Sequence, residues 1–227
     1  MKKEAIFDLA ILLITFCASW YFGTFLPPLL KGPFVVVMTS LVALLIIKKR
    51  NLSIAGLGLR PRSLTKVFAK EVVQVALLIF AVQFIGLIII GFLFGSPEAG
   101  SAVDNLPKTI LGFILDNVLF VWIVTAFGEE FIFRGIIINR LKLLFTTNNL
   151  LLNFCLISGI QAIWFGMAHP SQGLSGILIT GLIGFALGFY FLKNQKGGLW
   201  PLIIAHGLID TIVLTANFIG SNSDFSI

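Results

Sequence analysis

Charge is the scarcest thing in this chain. Asp, Glu, Lys and Arg make up 11% of its 227 residues, whereas a soluble domain carries about 25%, and the shortfall excludes an ordinary water-soluble globule. Cysteine is nearly absent: Cys17 and Cys155 stand alone, with no Cys-x-x-Cys spacing, and read as buried, inert thiols that say nothing about redox compartment. Only two histidines occur, His169 and His206. What fills the chain instead is apolar, 58% hydrophobic residues with a mean hydropathy of +1.03, the composition of an integral membrane protein.

A membrane helix needs about 20 apolar residues, and stretches of that length recur between short polar or Pro/Gly breaks. The pattern predicts helices at 5–26, 33–47, 71–95, 108–127 running on towards 145, 150–169, 174–192 and 199–219. The fold class is therefore all-α, a polytopic transmembrane bundle of about seven helices; eight segments is the alternative count, because the fourth run is too long for one perpendicular span. Lys2 and Lys3 precede an apolar stretch that is too long for a signal peptide and lacks a small-residue cleavage site. Bulky Phe16 before Cys17 also argues against a lipoprotein site. Residues 1–26 thus read as a retained first helix, 1–105 as N-terminal helices with a basic loop, 106–219 as the core that carries chemistry, and 220–227 as a short polar tail.

Lysine and arginine collect in short cytoplasmic loops. The loop after the second helix holds Lys48, Lys49, Arg50, Arg60, Arg62, Lys66 and Lys70, and later breaks hold Arg140 and Lys142, then Lys193 and Lys196. The alternate loops hold only Lys31, then Glu98, Asp104 and Lys108, and no charge at 170–173. Seven spans put every basic loop on one side, which predicts a multi-pass protein of the cell membrane with its N-terminus cytoplasmic and its C-terminus outside. The net charge of +6 is explained by this placement and by attraction to anionic lipid. No soluble domain presents it to nucleic acid, so the bilayer is the expected partner.

Against this background Glu129, Glu130 and Arg134 lie inside the apolar run 118–144. Each ionisable group at bilayer depth costs roughly 2.5–3.5 kcal/mol on insertion scales, and such groups by default mark function. The few other titratable groups at depth that stand out fall in the C-terminal half: His169, His206 and Asp210. Positions four apart share a helix face: Glu130 meets Arg134, His206 meets Asp210, and Gln161, Phe165 and His169 form one stripe. Three helices would each turn a polar stripe inward, which is how a bundle builds a buried site. A carboxylate and an imidazole facing each other in a dry cavity can hold and deprotonate a water. An arginine one turn away would hold the second carboxylate as an ion, and a second histidine could stabilise an oxyanion.

The pattern Glu129-Glu130-x-x-x-Arg134, Phe165-x-x-x-His169, His206-x-x-x-Asp210 resembles the CAAX protease and bacteriocin-processing (Abi) family of intramembrane endopeptidases, over residues 110–215. The resemblance implies that Glu129 is the general base and His169 its partner in activating water, that Glu130 and Arg134 support them, and that His206 with Asp210 stabilises the tetrahedral oxyanion. Eukaryotic members usually carry Asn at the last position; this chain has Asp210, as many bacterial-type members do. An ionised Asp accepts but cannot donate a hydrogen bond, so Asp210 would orient His206 rather than bind the oxyanion. The implied substrate is a membrane-embedded or lipidated peptide, prenylated or not, and nothing in 1–105 marks a prenyl pocket.

Metal use stays open. Glu129 and the two histidines would supply the three ligands of a catalytic zinc site, but there is no His-Glu-x-x-His, and a metal-free glutamate-activated water needs the same residues. A metal-free site is the favoured reading, and a divalent metal such as zinc is the alternative. Each group also has a plainer reading: Glu130–Arg134 as a structural ion pair, His169 as an interfacial histidine before Pro170, His206–Asp210 as an orientation pair. A non-catalytic immunity or membrane scaffold protein on the same fold is the competing function. A transporter ranks below it, because the ionisable groups crowd into one half without the related halves that transporters show.

Gly176, Thr180, Gly184 and Gly188 recur every four residues and read as a stripe that lets helices approach closely. Trp164 and Trp200 read as packing or interfacial anchors. One geometric tension remains at this level: with perpendicular spans His169 would lie near the outer face and Glu129 deeper. Either residues 118–145 form the actual span, the favoured solution, or the 170–173 turn sinks into a protein-lined cavity.

Overall fold

The computed structural model describes residues 1–97, 109–194 and 196–221. Among the described residues seven helices are long and apolar enough to cross a membrane, and the protein is a multi-pass, all-helical bundle. We number them α1 (Lys2–Gly23), α2 (Pro28–Arg50), α3 (Lys66–Phe94), α4 (Ile110–Leu141), α5 (Leu150–Met167), α6 (Gly173–Lys193) and α7 (Trp200–Ser221). The loop charges Glu98, Asp104 and Lys108, and the expected polar tail from 222 onward, lie outside the described residues.

Local chemistry explains where helices begin. Thr65, Thr109 and Asn149 each accept from the backbone N–H three residues on, at 3.2, 3.1 and 3.0 Å, which satisfies donors that a helix start leaves free. The Thr65 cap makes α3 start at Lys66 rather than at 71. Helix α2 was expected from 33 and begins at Pro28, because proline suits the first helical turn, where its missing N–H is no loss; Pro33 is then carried inside the helix.

The fourth run is one continuous element. Over Asp116–Glu129 and again over Phe131–Ile137 it is wound as a π-helix, with i→i+5 hydrogen bonds, a rare form that gathers at functional sites. Glu130 sits at the junction between the two stretches.

The outside of the bundle is apolar. Phe80, Phe84, Phe92, Leu77 and Ile88 of α3 and Leu44 and Leu45 of α2 are exposed, which suits hydrocarbon rather than water. Cys17 is exposed on α1 and Cys155 half-buried, so the expectation of buried thiols is corrected: the apolar environment that made them look like core residues lies outside the bundle as well as inside it.

Inside, the core gathers Ile136, Ile137 and Ile138 of α4 with Leu12, Ala43, Leu57, Phe165 and Leu192. The small-residue stripe does part of what its spacing suggested. A Cβ at Gly184 would come within 2.9 Å of Phe165, and one at Gly188 within 2.7 Å of Gln161, so both glycines hold α6 against α5. Gly166 and Gly181 extend this close approach from positions off the stripe: a Cβ at Gly166 would lie 2.5 Å from the Ile177 carbonyl oxygen and 3.1 Å from Gly181 Cα.

One end of the bundle is stapled by charge. Arg50 at the end of α2 donates to Glu4 at 2.8 Å and to Asp8 at 2.9 Å, and Arg140 at the end of α4 donates to the other Asp8 oxygen at 3.4 Å. Arg62 pairs with Glu71 and donates to the Gly197 carbonyl, while Trp200 Nε1 donates to the Arg60 carbonyl at 3.0 Å. The start of α1, the ends of α2 and α4, the loop 51–65 and the connection before α7 therefore share one end.

Candidate active site

The opposite half of the bundle encloses a cavity of about 1170 Å³. Glu129 of α4, His169 after α5, and His206 and Asp210 of α7 line it; Glu130 and Arg134 stand behind its wall, wholly buried. All six residues singled out in the sequence thus gather around one site, from three chain segments.

His169 Nδ1 lies 2.8 Å from the Phe165 carbonyl oxygen. That oxygen can only accept, so Nδ1 carries the proton and a neutral ring turns the lone pair of Nε2 outwards. Nε2 faces Glu129 Oε1 across 4.0 Å. Glu129 Oε2 is buried without a protein hydrogen-bond partner.

Glu130 Oε1 accepts from Arg134 Nη1 at 3.1 Å and faces His206 Nδ1 at 3.0 Å. His206 Nε2 in turn lies 3.4 Å from Asp210 Oδ2. The i,i+4 pairs are both present, but the contact that joins them, Glu130 to His206, spans 76 residues and no local spacing announces it. Arg134 also stacks over the Phe165 ring, 4.4 Å from its centroid, so Phe165 carries the guanidinium on its face while its carbonyl fixes His169. Gln161, third member of the predicted stripe, is instead buried against Gly188 of α6.

His169 and Glu129 do meet, 4.0 Å apart: helix α4 runs Ile110–Leu141, and Pro170, Ser171 and Gln172 after α5 line the cavity beside them. Two further charged residues, Lys31 and Asp116, line the same cavity. Asp116 carried a readable signal, a carboxylate at the edge of an apolar run; Lys31 did not, since it belongs by sequence to a loop.

Among the described residues no three His, Cys, Asp or Glu side chains converge on one point as metal ligands. Both nitrogens of His206 are turned to carboxylates, Glu130 and Asp210, so the Glu129–His169–His206 set does not fit a three-ligand zinc in this arrangement.

The bundle thus buries a carboxylate–imidazole cluster beside a cavity. Residues 111–212 match a family model described as Type II CAAX prenyl endopeptidase Rce1-like, a segment that contains all six site residues, and the match places that segment in the CAAX protease and bacteriocin-processing family. No curated protein and no solved structure matches the chain.

Proposed function

We propose that the protein is an intramembrane endopeptidase that hydrolyses a peptide bond of a membrane-associated peptide with water activated by Glu129 and His169. The observation that carries the reading is the 4.0 Å gap between Glu129 Oε1 and His169 Nε2 in the cavity wall. Two acceptors at that separation suit the two O–H bonds of one water, each about 2.8 Å away. Glu129 keeps Oε2 buried without a protein partner, and a carboxylate within hydrogen-bond reach of a water can take its proton.

In the first step the water oxygen bonds to the scissile carbonyl carbon as its proton passes to Glu129, and the carbonyl oxygen becomes an oxyanion. In the second the C–N bond breaks, and the leaving amine takes the proton back from Glu129. His169, its tautomer fixed by Phe165, keeps the water aligned. His206 serves the oxyanion: with Glu130 at Nδ1 and Asp210 near Nε2, its imidazolium form donates on both sides, and the Nε2 proton is the one a cavity ligand can reach. Preorganised donors of this kind contribute about 3–4 kcal/mol each. Asp210 only accepts, so its part is to position His206. Glu130, held by Arg134, positions it from the other side.

The family match supports the reaction class, and the positive-inside pattern supports a place in the cell membrane with the N-terminus in the cytoplasm. The peptide substrate is one that membrane helices can admit, lipidated or simply apolar. The test compares membrane-peptide profiles of cells carrying the wild type or Glu129→Ala. A precursor that accumulates only in the variant, and that purified wild type cleaves, is expected. Equal cleavage by both proteins would leave a non-catalytic scaffold as the better account.

A further inference from the structure

The cavity has a direction. Its rim is made of the α1–α2 turn with Thr24, Leu26 and Pro28, of Pro97 beyond α3, of the Pro170–Gln172 turn and of Asn217 on the last turns of α7. Thr24, Leu26, Pro28, Pro170 and Ser171 are exposed. Its deepest lining residues are Thr39, Ile132, Phe133 and Leu187. Beyond them the core closes the bundle: Ile136, Ile137 and Ile138 of α4, with Leu57, Leu192 and Leu199, are all buried. No residue of the 51–65 loop, the 142–149 connection or the 194–199 connection lines the cavity among the described residues.

The charge has the opposite direction. Apart from Lys31, Lys108 and Arg134, every lysine and arginine of the sequence lies at the start of α1 or on the connections and helix ends that share its end of the bundle. The contacts of Arg50 and Arg140 with Asp8, of Arg62 with Gly197 and of Trp200 with Arg60 tie these segments together in space. Basic connections stay in the cytoplasm, so the open end of the cavity and the basic end of the bundle fall on opposite faces of the membrane.

We propose that the site takes its substrate from the extracytoplasmic side. Given the endopeptidase reading above, on which this part rests, the substrate class is a peptide exposed at the outer leaflet after its export, and not a lipidated tail presented in the cytoplasm. A cytoplasmic chain end would meet the closed, isoleucine-packed floor. An outer-leaflet peptide meets the rim, with Lys31, whose ammonium lies 4.1 Å from the Trp20 ring centroid, as the fixed cation beside its path.

The experiment uses the full chain in intact cells with Cys17→Ser and Cys155→Ser as background. Single cysteines are introduced at the rim, Thr24→Cys and Ser171→Cys, and at the basic end, Ser63→Cys and Asn148→Cys, and are exposed to a membrane-impermeant maleimide before and after permeabilisation. Rim cysteines labelled strongly and basic-end cysteines left essentially unlabelled before permeabilisation, with equal labelling of all four afterwards, is the expected result. The reverse pattern overturns the proposal. A second arm fuses one apolar peptide reporter so that it emerges outside or stays in the cytoplasm. Cleavage of the exported form alone supports the substrate class, and cleavage of the cytoplasmic form alone overturns it. Rim labelling with neither reporter cleaved upholds the access side and counts against the endopeptidase reading instead.

Discussion

The two ends of this bundle bury the same kinds of charge and treat them differently. At the basic end Asp8, 2% exposed, has both oxygens engaged, by the fork of Arg50 and by Arg140. In the cavity half, one oxygen each of Glu129 and Glu130 and two nitrogens of Arg134 have no protein partner, although leaving a buried polar atom unpaired costs about 1–3 kcal/mol. In the first arrangement the carboxylate is saturated and only Arg140 Nε is left unpaired, as suits a staple between helix ends. The second keeps unpaired atoms around a cavity, which is the arrangement a reacting ligand can complete. Buried charge is thus common to both ends, and what distinguishes the candidate site is that its unpaired hydrogen-bonding atoms stand around a cavity.

Substitutions can break this comparison, and the largest effect is expected at the general base. Glu129→Ala should lower the rate of peptide cleavage by about 10²–10⁴-fold while leaving the thermal midpoint in detergent unchanged or raised, since it removes a carboxylate with an unpaired oxygen. Glu130→Ala should do the converse first: it strands Arg134 in the core, at a cost of about 3–5 kcal/mol, read as a lower midpoint and poor recovery of folded protein. Glu130→Gln, which keeps an acceptor for His206 Nδ1, should recover part of both stability and rate.

Asp8→Ala sharpens the contrast from the other end. It should lower the midpoint by less than Glu130→Ala, because Arg50 still has Glu4 at 2.8 Å, and the cleavage rate per folded molecule should stay at the wild-type level. Asp210→Asn should cost less than about tenfold in rate, the worth of one hydrogen bond, because Glu130 still holds His206. Smallest of all is the effect of a strong chelator on the purified protein: cleavage should continue at its full rate, and loss restored by zinc would require His206 to turn from Glu130 towards a metal.

How much of this was readable beforehand follows from the range of each signal. Seven spans were legible because hydropathy is local, and the Glu130–Arg134 and His206–Asp210 pairs because four residues make about one helical turn. The Glu130–His206 contact was not, since it depends on how α4 and α7 pack. Asp8 gave no warning either: a single carboxylate near the start of a helix looks like a first-turn charge until Arg50 and Arg140 arrive from 42 and 132 residues away. The π winding of α4 escaped for a different reason, as its apolar residues satisfy helical periodicities of either pitch. The face of the cavity needed both kinds of information, loop charge from the sequence and rim residues from the fold.

The most direct test of the central claim is the initial rate of cleavage of one membrane peptide by purified wild type and by Glu129→Gln, at equal folded concentration in the same detergent. Glutamine keeps the size and the hydrogen-bonding oxygen but cannot take the proton, so the account predicts a loss of at least about 10²-fold. A rate within twofold of wild type, with both proteins equally folded, would contradict it.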